Sequence, residues 1–339
     1  MTAAGLDMIP NAVRSVLIHK PDHLGDVLCA VPAIRALREK HPDANFVASV
    51  MPGPGEFLTG LGLVDEVFAL PGHDWWKRKG ARAHVSRCRR CRFDLAVNFR
   101  HDVRDIVAVG LMGARRVCTY THRGIGARYR GASDPPASDR AEIDNHLTLV
   151  RTVGINAEFA SGDLRRRVPP DAITRFRAGG PWIAFHPFSR TSAKTWPIEH
   201  AQEFARMAID HGVGVRLVGS AENARDAEGV AVDSPRFVSH VGNTDAMNLM
   251  ACVAAVDALV CTDSGPGHIG PLVGTPVVTI ASGTNGPTRW APRGATVVRR
   301  EVPCAPCRRE VCPVPGHPCM NDLTPGMVWA ALSLVLGRT

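Results

Sequence analysis

Residues 260–274 read V-C-T-D-S-G-P-G-H-I-G-P-L-V-G. The small apolar run at 254–260 that leads into them has the composition of a buried strand, and a turn of small residues follows at 263–267. The apolar segment 268–273 predicts a short helix, which Gly-Thr-Pro at 274–276 ends, and residues 277–280 predict another strand. Strand, turn, helix and strand in this order form the repeating unit of a parallel α/β sheet.

The turn at 263–267 has two interpretations. Its backbone N–H groups and the positive end of the next helix lie beside Asp263, Ser264 and His268, which suits an anionic ligand such as a diphosphate. It can also be an ordinary strand-to-helix turn in which Gly265 permits close packing.

Residues 265–270 match G-x-G-x-x-G, but a dinucleotide site needs an acid about 20 residues further on. No acid follows before Glu301, so the context argues against NAD or FAD.

The same rhythm of strands and helices runs through most of the chain. In the first half it predicts strands at 14–20, 45–50, 64–70, 93–98 and 115–119, and in the second at 182–186, 213–218 and 237–240. Helices are predicted at 27–40, 56–60, 102–112, 144–153, 198–210, 223–232, 245–252 and 323–336. The predicted fold class is α/β with two Rossmann-like, doubly wound parallel sheets, whose ligand-binding edges we expect to face a central cleft.

The polar segment 157–180 reads as the connection between the two halves. We predict a first domain over 1–165, a second over 166–322 and a C-terminal helix over 323–339. Thr324 and Pro325 suit the first positions of that helix, because threonine caps helices and proline is tolerated in the first turn.

Composition and charge narrow the class of partner. The 339 residues are 45% apolar and 21% charged, as in globular proteins. No apolar run reaches the ~20 residues of a membrane span, and no secretory signal is visible, so we expect a cytoplasmic protein. The net charge of +8 favours polyanionic partners such as nucleic acid, phosphorylated small molecules or anionic lipid headgroups.

Four cysteines near the end of the chain have the spacing C-x2-C-x4-C-x6-C, namely Cys304, Cys307, Cys312 and Cys319. In a cytosolic chain such a cluster indicates a metal site or reduced thiols rather than disulfides. A structural zinc and plain thiols both remain open, since the spacing is tighter than that of the common zinc ribbon.

Three further turns after predicted strands carry reactive side chains. Asp26 in L-G-D-V can cap a helix or serve as a carboxylate that accepts a proton. Lys194 and Ser189 lie in a polar turn before Pro197 and can bind a phosphate or form a solvated loop. Glu222 in V-G-S-A-E-N can hold a ribose diol or act as a helix N-terminal acid.

A basic segment follows two tryptophans at 75–76. It begins with Lys77, Arg78 and Lys79, and further arginines follow at intervals up to residue 92. Such a segment can meet a membrane surface or a phosphorylated glycolipid, can meet RNA, or can be a solvated basic helix.

Taken together, these motifs resemble the family-9 glycosyltransferases, the lipopolysaccharide heptosyltransferases and their relatives. The resemblance rests on G-D-V-L-C-A-V-P-A-I-R-A-L-R at 25–38, H-P-F-S…K-T-W-P at 186–197, L-V-G-S-A-E-N at 217–223, D-S-G-P-G-H-I-G-P-L-V-G-T-P-V-V at 263–278 and the cysteine-containing tail at 304–325. These stretches occur in the family's order over most of the chain. The sequence departs at Ala281 and Ser282, where the family usually has Phe-Gly.

The resemblance implies a GT-B fold and inverting, metal-independent transfer of a sugar, commonly heptose from ADP-heptose, to a lipopolysaccharide-core or related glycan acceptor. It implies an acceptor-binding first domain and a nucleotide-sugar-binding second domain, with no cofactor required for catalysis. By position, Asp26 matches the general base. The donor residues implied are Ser189 and Lys194 at the phosphates, Glu222 at the ribose, Asp263 at the sugar hydroxyls, and Ser264, Gly265 and His268 at the diphosphate loop.

Partners and location follow from the same reading. We expect a nucleotide-diphosphate sugar donor and a glycolipid or glycan acceptor, with Lys77, Arg78 and Lys79 facing the acceptor or an anionic membrane. The protein would then be cytoplasmic and peripheral at the inner face of the inner membrane.

Two alternative functions remain. One is another nucleotide-sugar enzyme on this fold, with a different donor or epimerase chemistry, and the other is a basic nucleic-acid-binding module. No RNA-binding signature appears, so nucleic acid is not expected.

Overall fold

The chain folds into two compact units. The computed structural model describes residues 13–337; the first unit ends at Phe159 and the second begins at Ala160. Within that described range each unit contains one six-stranded sheet in which all neighbouring strands run parallel. The predicted class, α/β with two doubly wound parallel sheets, is confirmed.

The first unit places its first strand near the middle of the sheet. Its strands are β1 (Ser15–His19), β2 (Asn45–Val50), β3 (Glu66–Ala69), β4 (Leu95–Asn98), β5 (Arg116–Tyr120) and β6 (Gly131–Ser133), in the order β3-β2-β1-β4-β5-β6. Its helices are α1 (Leu24–Lys40), α2 (Pro52–Gly60), α3 (Ala81–Cys91), α4 (Val103–Leu111) and α5 (Glu142–Arg151). Strands β2 and β3 are added on one side of β1, and strands β4 to β6 are added on its other side. The order of strands therefore reverses between β1 and β4.

The second unit is built the same way. Its strands are β7 (Trp182–His186), β8 (Gly214–Leu217), β9 (Phe237–Ser239), β10 (Ala258–Thr262), β11 (Val277–Ala281) and β12 (Thr296–Arg299), in the order β12-β11-β10-β7-β8-β9. Its helices are α6 (Pro170–Arg175), α7 (Ile198–Asp210), α8 (Ala224–Val230), α9 (Ala246–Ala255), α10 (Ile269–Val273), α11 (Pro287–Trp290), α12 (Pro318–Asn321) and α13 (Pro325–Val335).

Burial explains why the central strands are almost wholly apolar. Helices cover both faces of a parallel sheet, and every residue of β7, β10 and β11 is accordingly buried. In the second unit Phe185, Trp196 and Phe204 pack together as tilted or edge-on rings 5.0 to 6.5 Å apart. Val328 and Leu332 of α13 join this core, so the predicted C-terminal helix packs within the second unit.

Several element boundaries differ from the sequence prediction. The run at 254–260 was predicted as one strand, but α9 continues to Ala255 and β10 begins only at Ala258. Asp257 lies in the break, where its carboxylate accepts a hydrogen bond of 2.8 Å from the Trp182 backbone N–H. The same alanines and valines suit a buried helix end or a buried strand, so composition alone misplaced the boundary.

The basic segment after Lys79 forms helix α3, a conformation that the sequence left open. In α3 only Cys88 is fully buried, and Ala81, Val85 and Cys88 repeat at the helical spacing of four and three residues. The sequence pattern also missed β6, β12, α6, α11 and α12, which are all short. Within residues 13–337, no helix combines the length and the apolar character needed to cross a membrane.

Candidate functional site

The carboxyl edge of the second sheet brings two predicted site residues together. Strands β7 and β10 are neighbours at the point where the order of strands in the sheet reverses. Ligands of open α/β sheets bind at such points. Lys194 follows β7 in a single 3-10 turn, and Asp263 follows β10 directly. The Lys194 Nζ atom lies 2.9 Å from Asp263 Oδ2, and both side chains are less than one-fifth exposed.

A residue that the sequence reading did not select completes this contact. Asn285 follows β11, the next strand beyond β10, and its Nδ2 donates a hydrogen bond of 3.0 Å to Asp263 Oδ2. The asparagine stands in the segment where the sequence departs from the family pattern. Its position after a strand at the same sheet edge was a usable signal. Three loops therefore converge on one carboxylate.

The turn after Asp263 is held tightly against the sheet. Ser264 Oγ donates to the Thr262 carbonyl oxygen at 3.1 Å, and residues Gly265–His268 form a 3-10 turn that leads into α10. A methyl group on Gly267 would lie 2.9 Å from Cys261 Sγ and equally near Pro292. Glycine is thus required here for packing. His268 is buried.

The loop that carries Ser189 and Lys194 is fixed at several points. Ser189 Oγ accepts a hydrogen bond from the Thr191 N–H at 3.2 Å. Trp196 is buried, and its Nε1 donates to the Leu323 carbonyl oxygen at 2.8 Å. Lys194 therefore lies in a loop that is braced at several points by hydrogen bonds and packing.

The cysteine-containing segment supplies part of this brace. The Ala193 N–H donates to the Glu310 carbonyl oxygen at 3.0 Å, and the Ala193 carbonyl lies 3.1 Å from His317 Nε2. The Cys307 N–H donates to the Gly283 carbonyl oxygen at 3.0 Å. The segment thus connects the loops after β7 and β11, the two that carry Lys194 and Asn285.

The structure does not support the structural zinc considered from the sequence. All four cysteines are free: Cys304 is exposed, Cys307 and Cys312 are half-buried and Cys319 is buried. Among residues 13–337, no group of three or more His, Cys, Asp or Glu side chains is placed to hold a metal ion. Burial raises the pKa of the Cys319 thiol, and the other three cysteines raise it further, which favours the protonated thiol at neutral pH.

Glu222 lies exposed at the end of β8, on the opposite side of β7 from β10. It is the middle residue of the 3-10 turn Ala221–Asn223. Ser220, just before this turn, and Asn223, its last residue, are joined by reciprocal hydrogen bonds. The carboxylate therefore projects from a fixed turn at the same edge of the sheet as Lys194 and Asp263.

Asp26 belongs to the first unit and lies half-exposed in the first turn of α1. Nearby, the buried Lys20 pairs with Asp22 at 3.0 Å, and Arg100 lies 3.3 Å from the same carboxyl group. Burial alone would lower the pKa of Lys20, but the carboxylates of Asp22, Asp26 and Glu142 raise it. Burial opposes ionisation of Asp22, yet Lys20 and Arg100 lower its pKa. Asp22 therefore stays ionised in its ion pairs.

Lys77, Arg78 and Lys79 are exposed on the first unit. They end and follow the 3-10 turn Trp75–Lys77, and Arg78 pairs with Asp74 at 3.1 Å. The indole of Trp75 is buried, and its Nε1 donates to Asp105 Oδ1 at 2.9 Å. These cations and the donor candidates lie on different units of the chain.

Comparison with known proteins gives the family. Residues 82–317 match the model of glycosyltransferase family 9 (heptosyltransferase). The chain is 23% identical over 327 residues to lipooligosaccharide heptosyltransferase 2 of Campylobacter jejuni, a match covering 92% of this chain and 95% of that protein. Lipopolysaccharide heptosyltransferase 1 of Pseudomonas aeruginosa is 22% identical, with 88% of this chain and 87% of that protein covered.

A solved structure agrees with this assignment at the level of fold. The chain resembles the E. coli heptosyltransferase WaaC with ADP-2-deoxy-2-fluoro heptose at a TM-score of 0.71 and 18% identity, covering 94% of this chain and 99% of that one. The GT-B class expected from the sequence is thus confirmed. Because the family model matches more than half of the 339 residues, the chain belongs to glycosyltransferase family 9 and is a glycosyltransferase enzyme, as its sequence predicts.

Proposed function

We propose that this enzyme transfers heptose from ADP-heptose, with inversion and without a metal ion, to a lipopolysaccharide-core or related glycan acceptor. The observation that carries the proposal is the contact of Asp263 with both Lys194 and Asn285 at the reversal point of the second sheet. It joins a cation suited to a diphosphate and a carboxylate suited to sugar hydroxyls at one place. The names of the relatives, which are heptosyltransferases, support the choice of sugar.

The acceptor hydroxyl must lose a proton as its oxygen attacks the anomeric carbon. We assign that proton to Asp26, because the neighbouring Asp22 is bound to Lys20 and Arg100 and its pKa is lowered. A half-exposed carboxylate without such an ion pair is the better general base. The new bond forms between the acceptor oxygen and the anomeric carbon, while the proton moves to a carboxylate oxygen of Asp26.

The bond from the anomeric carbon to the diphosphate oxygen breaks in the same step, and its electron pair leaves with the nucleoside diphosphate. We assign the stabilisation of this growing negative charge to the ammonium of Lys194, with Ser189 and the turn at Ser264, Gly265 and His268 binding the phosphates. Asp263 then accepts hydrogen bonds from the sugar hydroxyls, and Glu222 from the ribose. In this assignment Lys194 takes the part that a metal ion plays in other transferases.

We place the acceptor on the first unit. Lys77, Arg78 and Lys79 are exposed cations beside the two tryptophans, and each cation near an anionic membrane contributes about 1 kcal/mol of attraction. The proposed location is therefore cytoplasmic and peripheral, at the inner face of the inner membrane.

The decisive experiment measures release of ADP and formation of the glycosylated acceptor with purified enzyme. Asp26→Asn should lower turnover by a factor of about 10² or more, because the amide cannot accept the proton. ADP-heptose affinity measured by calorimetry should stay nearly constant, since the substitution does not touch the residues assigned to the donor.

The matched control is Glu39→Gln, which removes an acid from the last turn of the same helix, where it pairs with Arg35. It should retain parental turnover. Unchanged turnover in Asp26→Asn would remove Asp26 from the mechanism. A changed sugar configuration without transfer would instead indicate epimerase chemistry. A melting-temperature screen against ADP-, GDP-, UDP- and dTDP-sugars identifies the donor, because a ligand of the folded state raises the melting temperature.

A further inference from the structure

An apolar groove lies on the surface of the first unit between α3 and α4. Its volume is about 460 Å³, and of its ten lining residues only Arg82 and Arg104 are charged. We call it the α3–α4 groove. Val107 and Leu111, on its α4 side, are 44% and 57% exposed. They are two of the five large apolar side chains exposed among residues 13–337. An exposed apolar patch with a polar rim indicates an interaction site.

The floor of the groove is rigid. Trp75 is 2% exposed and is held by its hydrogen bond to Asp105, whose Oδ1 also lies 2.9 Å from His19 Nε2. His19 and Asp105 are both fully buried. The groove is therefore formed before any ligand binds, so that little ordering entropy opposes occupancy.

The rim of the groove is positive. From Lys77 to Arg92 the sequence contains eight basic residues and no acid, and Lys77, Lys79 and Arg82 are exposed. Three acids near α3 and α4 are engaged in ion pairs, namely Asp74 with Arg78, Asp102 with Arg104 and Glu66 with Arg87. Trp76 is flanked by Arg104 at 3.9 Å and Lys77 at 4.9 Å from its ring. Such half-buried tryptophans lie at the headgroup level of membranes.

We propose that the α3–α4 groove binds an acyl chain of an anionic lipid, the lipid that carries the acceptor glycan. The lining offers few partners for sugar hydroxyls, whereas it matches a hydrocarbon chain. The exposed cations beside it match the phosphates or carboxylates of the headgroup. The identification of this lipid as the acceptor rests on the proposed function, but occupancy of the groove can be measured without catalysis.

The test uses the full chain and vesicles of phosphatidylglycerol whose acyl chains carry bromine, which quenches tryptophan fluorescence on contact. The parent should be quenched by brominated vesicles and not by unbrominated ones. Trp76→Phe should lower the quenching, with the remainder coming from Trp75 at the floor of the groove, and should still sediment with vesicles. Brominated phosphatidylcholine should bind and quench at least fivefold less, because the rim then lacks an anionic partner.

Leu111→Asp places a negative charge at the groove and should weaken vesicle binding at least tenfold. The matched control is Leu334→Asp, the same change at a side chain that is 72% exposed on α13, and it should bind vesicles like the parent. Both positions are exposed, so both variants should fold, which circular dichroism verifies. Equal quenching of parent and Leu111→Asp would overturn the proposal, as would equal loss in both variants.

Two other results would also overturn it. Vesicle binding without quenching would mean that only the cations touch the membrane. A concentration-dependent dimer in sedimentation velocity that Leu111→Asp abolishes would mean that a second copy of the chain covers the groove.

In transfer assays, Leu111→Asp should raise the KM for lipid-borne acceptor at least fivefold more than the KM for delipidated acceptor. Absence of transfer by the parent to both acceptors would refute the proposed function and leave the quenching result intact.

Discussion

At one carboxylate oxygen of Asp263, donors from two other loops converge. Lys194 contributes a charged contact of 2.9 Å and Asn285 a neutral hydrogen bond of 3.0 Å. An ammonium group has three N–H donors, so Lys194 can keep its contact with Asp263 while it donates to a phosphate. In the proposed mechanism Asp263 both positions the lysine and compensates its charge before the donor binds.

Lys194→Ala should weaken binding of ADP by about 1.5–3 kcal/mol, the range for hydrogen bonds to charged groups, because it removes the cation assigned to the diphosphate. Asn285→Ala removes a neutral bond to Asp263 and should cost less, about 0.5–1.5 kcal/mol. Isothermal calorimetry with ADP measures both changes.

Lys77→Ala serves as the control, since it removes an exposed lysine from the first unit and should leave ADP affinity unchanged. Equal ADP affinity in the parent and Lys194→Ala would show that the diphosphate binds elsewhere. A larger loss in Asn285→Ala than in Lys194→Ala would mean that Asp263, rather than the cation, dominates the site.

The residues of the candidate donor site could be predicted only in part from the sequence. Asp263 and Lys194 were selected because each follows a strand with a characteristic run of residues, and parallel strands place their carboxyl ends at one edge. Asn285 was missed because its importance depends on the pairing of β10 with β11. The contacts of Ala193 with Glu310 and His317 join residues more than a hundred positions apart, for which no local pattern exists.

Helix α10 connects the proposed diphosphate turn to the sheet. It follows the turn Gly265–His268 without a break, and a Cβ atom at Gly270 would overlap Val277 of β11 and lie 2.9 Å from the Thr275 carbonyl oxygen. The position of the turn therefore depends on close packing of this helix on its neighbouring strand.

Gly270→Ala should lower the free energy of unfolding by about 1–3 kcal/mol, the cost of overpacking a core. Gly326→Ala in α13 is the matched control, because a Cβ atom there meets nothing within 4 Å. It should be neutral or stabilise by up to about 1 kcal/mol. Urea unfolding followed by fluorescence measures both, and an equal response of the two variants would contradict the packing argument.

The elements that the sequence predicted well are those with a strong period. Helix α7 and strands β2 and β7 have the predicted bounds, because their apolar residues repeat at helical spacing or form short continuous runs. Strand β12 lies at the edge of the sheet and only one of its four residues is buried, so it has little apolar signal. Helix α3 was one of several alternatives for its segment, because its many arginines leave few apolar residues to set a period.

Across the whole molecule, burial of histidine links stability to pH in both units. Burial lowers the pKa of His186 in the second unit to about 4, although its bond to the Val218 carbonyl opposes this, and burial also lowers the pKa of His84 in the first unit to about 4. An unfolded histidine titrates near 6.5. Between these values the unfolded chain binds a proton that the folded chain does not, so stability falls as pH falls from about 6.5 to about 4.

His186→Gln should flatten this dependence, because glutamine does not titrate. For the parent, the buried His186 should contribute a slope of up to about 1.4 kcal/mol per pH unit in that window. Urea unfolding of parent and variant at pH 7 and pH 5 gives the difference, and His84 should leave some slope in the variant. Parallel slopes would show that folding does not lower the pKa of His186.

The sequence predicted the class of fold at this scale because two sets of alternating strands and helices, separated by a polar segment, are sufficient to indicate two parallel sheets. It did not predict the strand order, which depends on which strands pair across the reversal point. The placement of β4 beside β1 and of β10 beside β7 follows from tertiary packing rather than from any local signal.

The two strand orders are the same when the second is read backwards and its strands are numbered from β7. The halves are thus topological duplicates, in which the loops after β1 and β7 are equivalent, as are those after β4 and β10. In each half an ion pair joins these two loops, Asp22 with Arg100 in the first and Lys194 with Asp263 in the second. The polarity of the pair is inverted between the copies: the loop after β1 supplies its carboxylate, whereas the equivalent loop after β7 supplies its cation. In the proposed mechanism the loop after β1 leads to the proton acceptor Asp26, whereas the equivalent loop after β7 carries the lysine that binds the diphosphate.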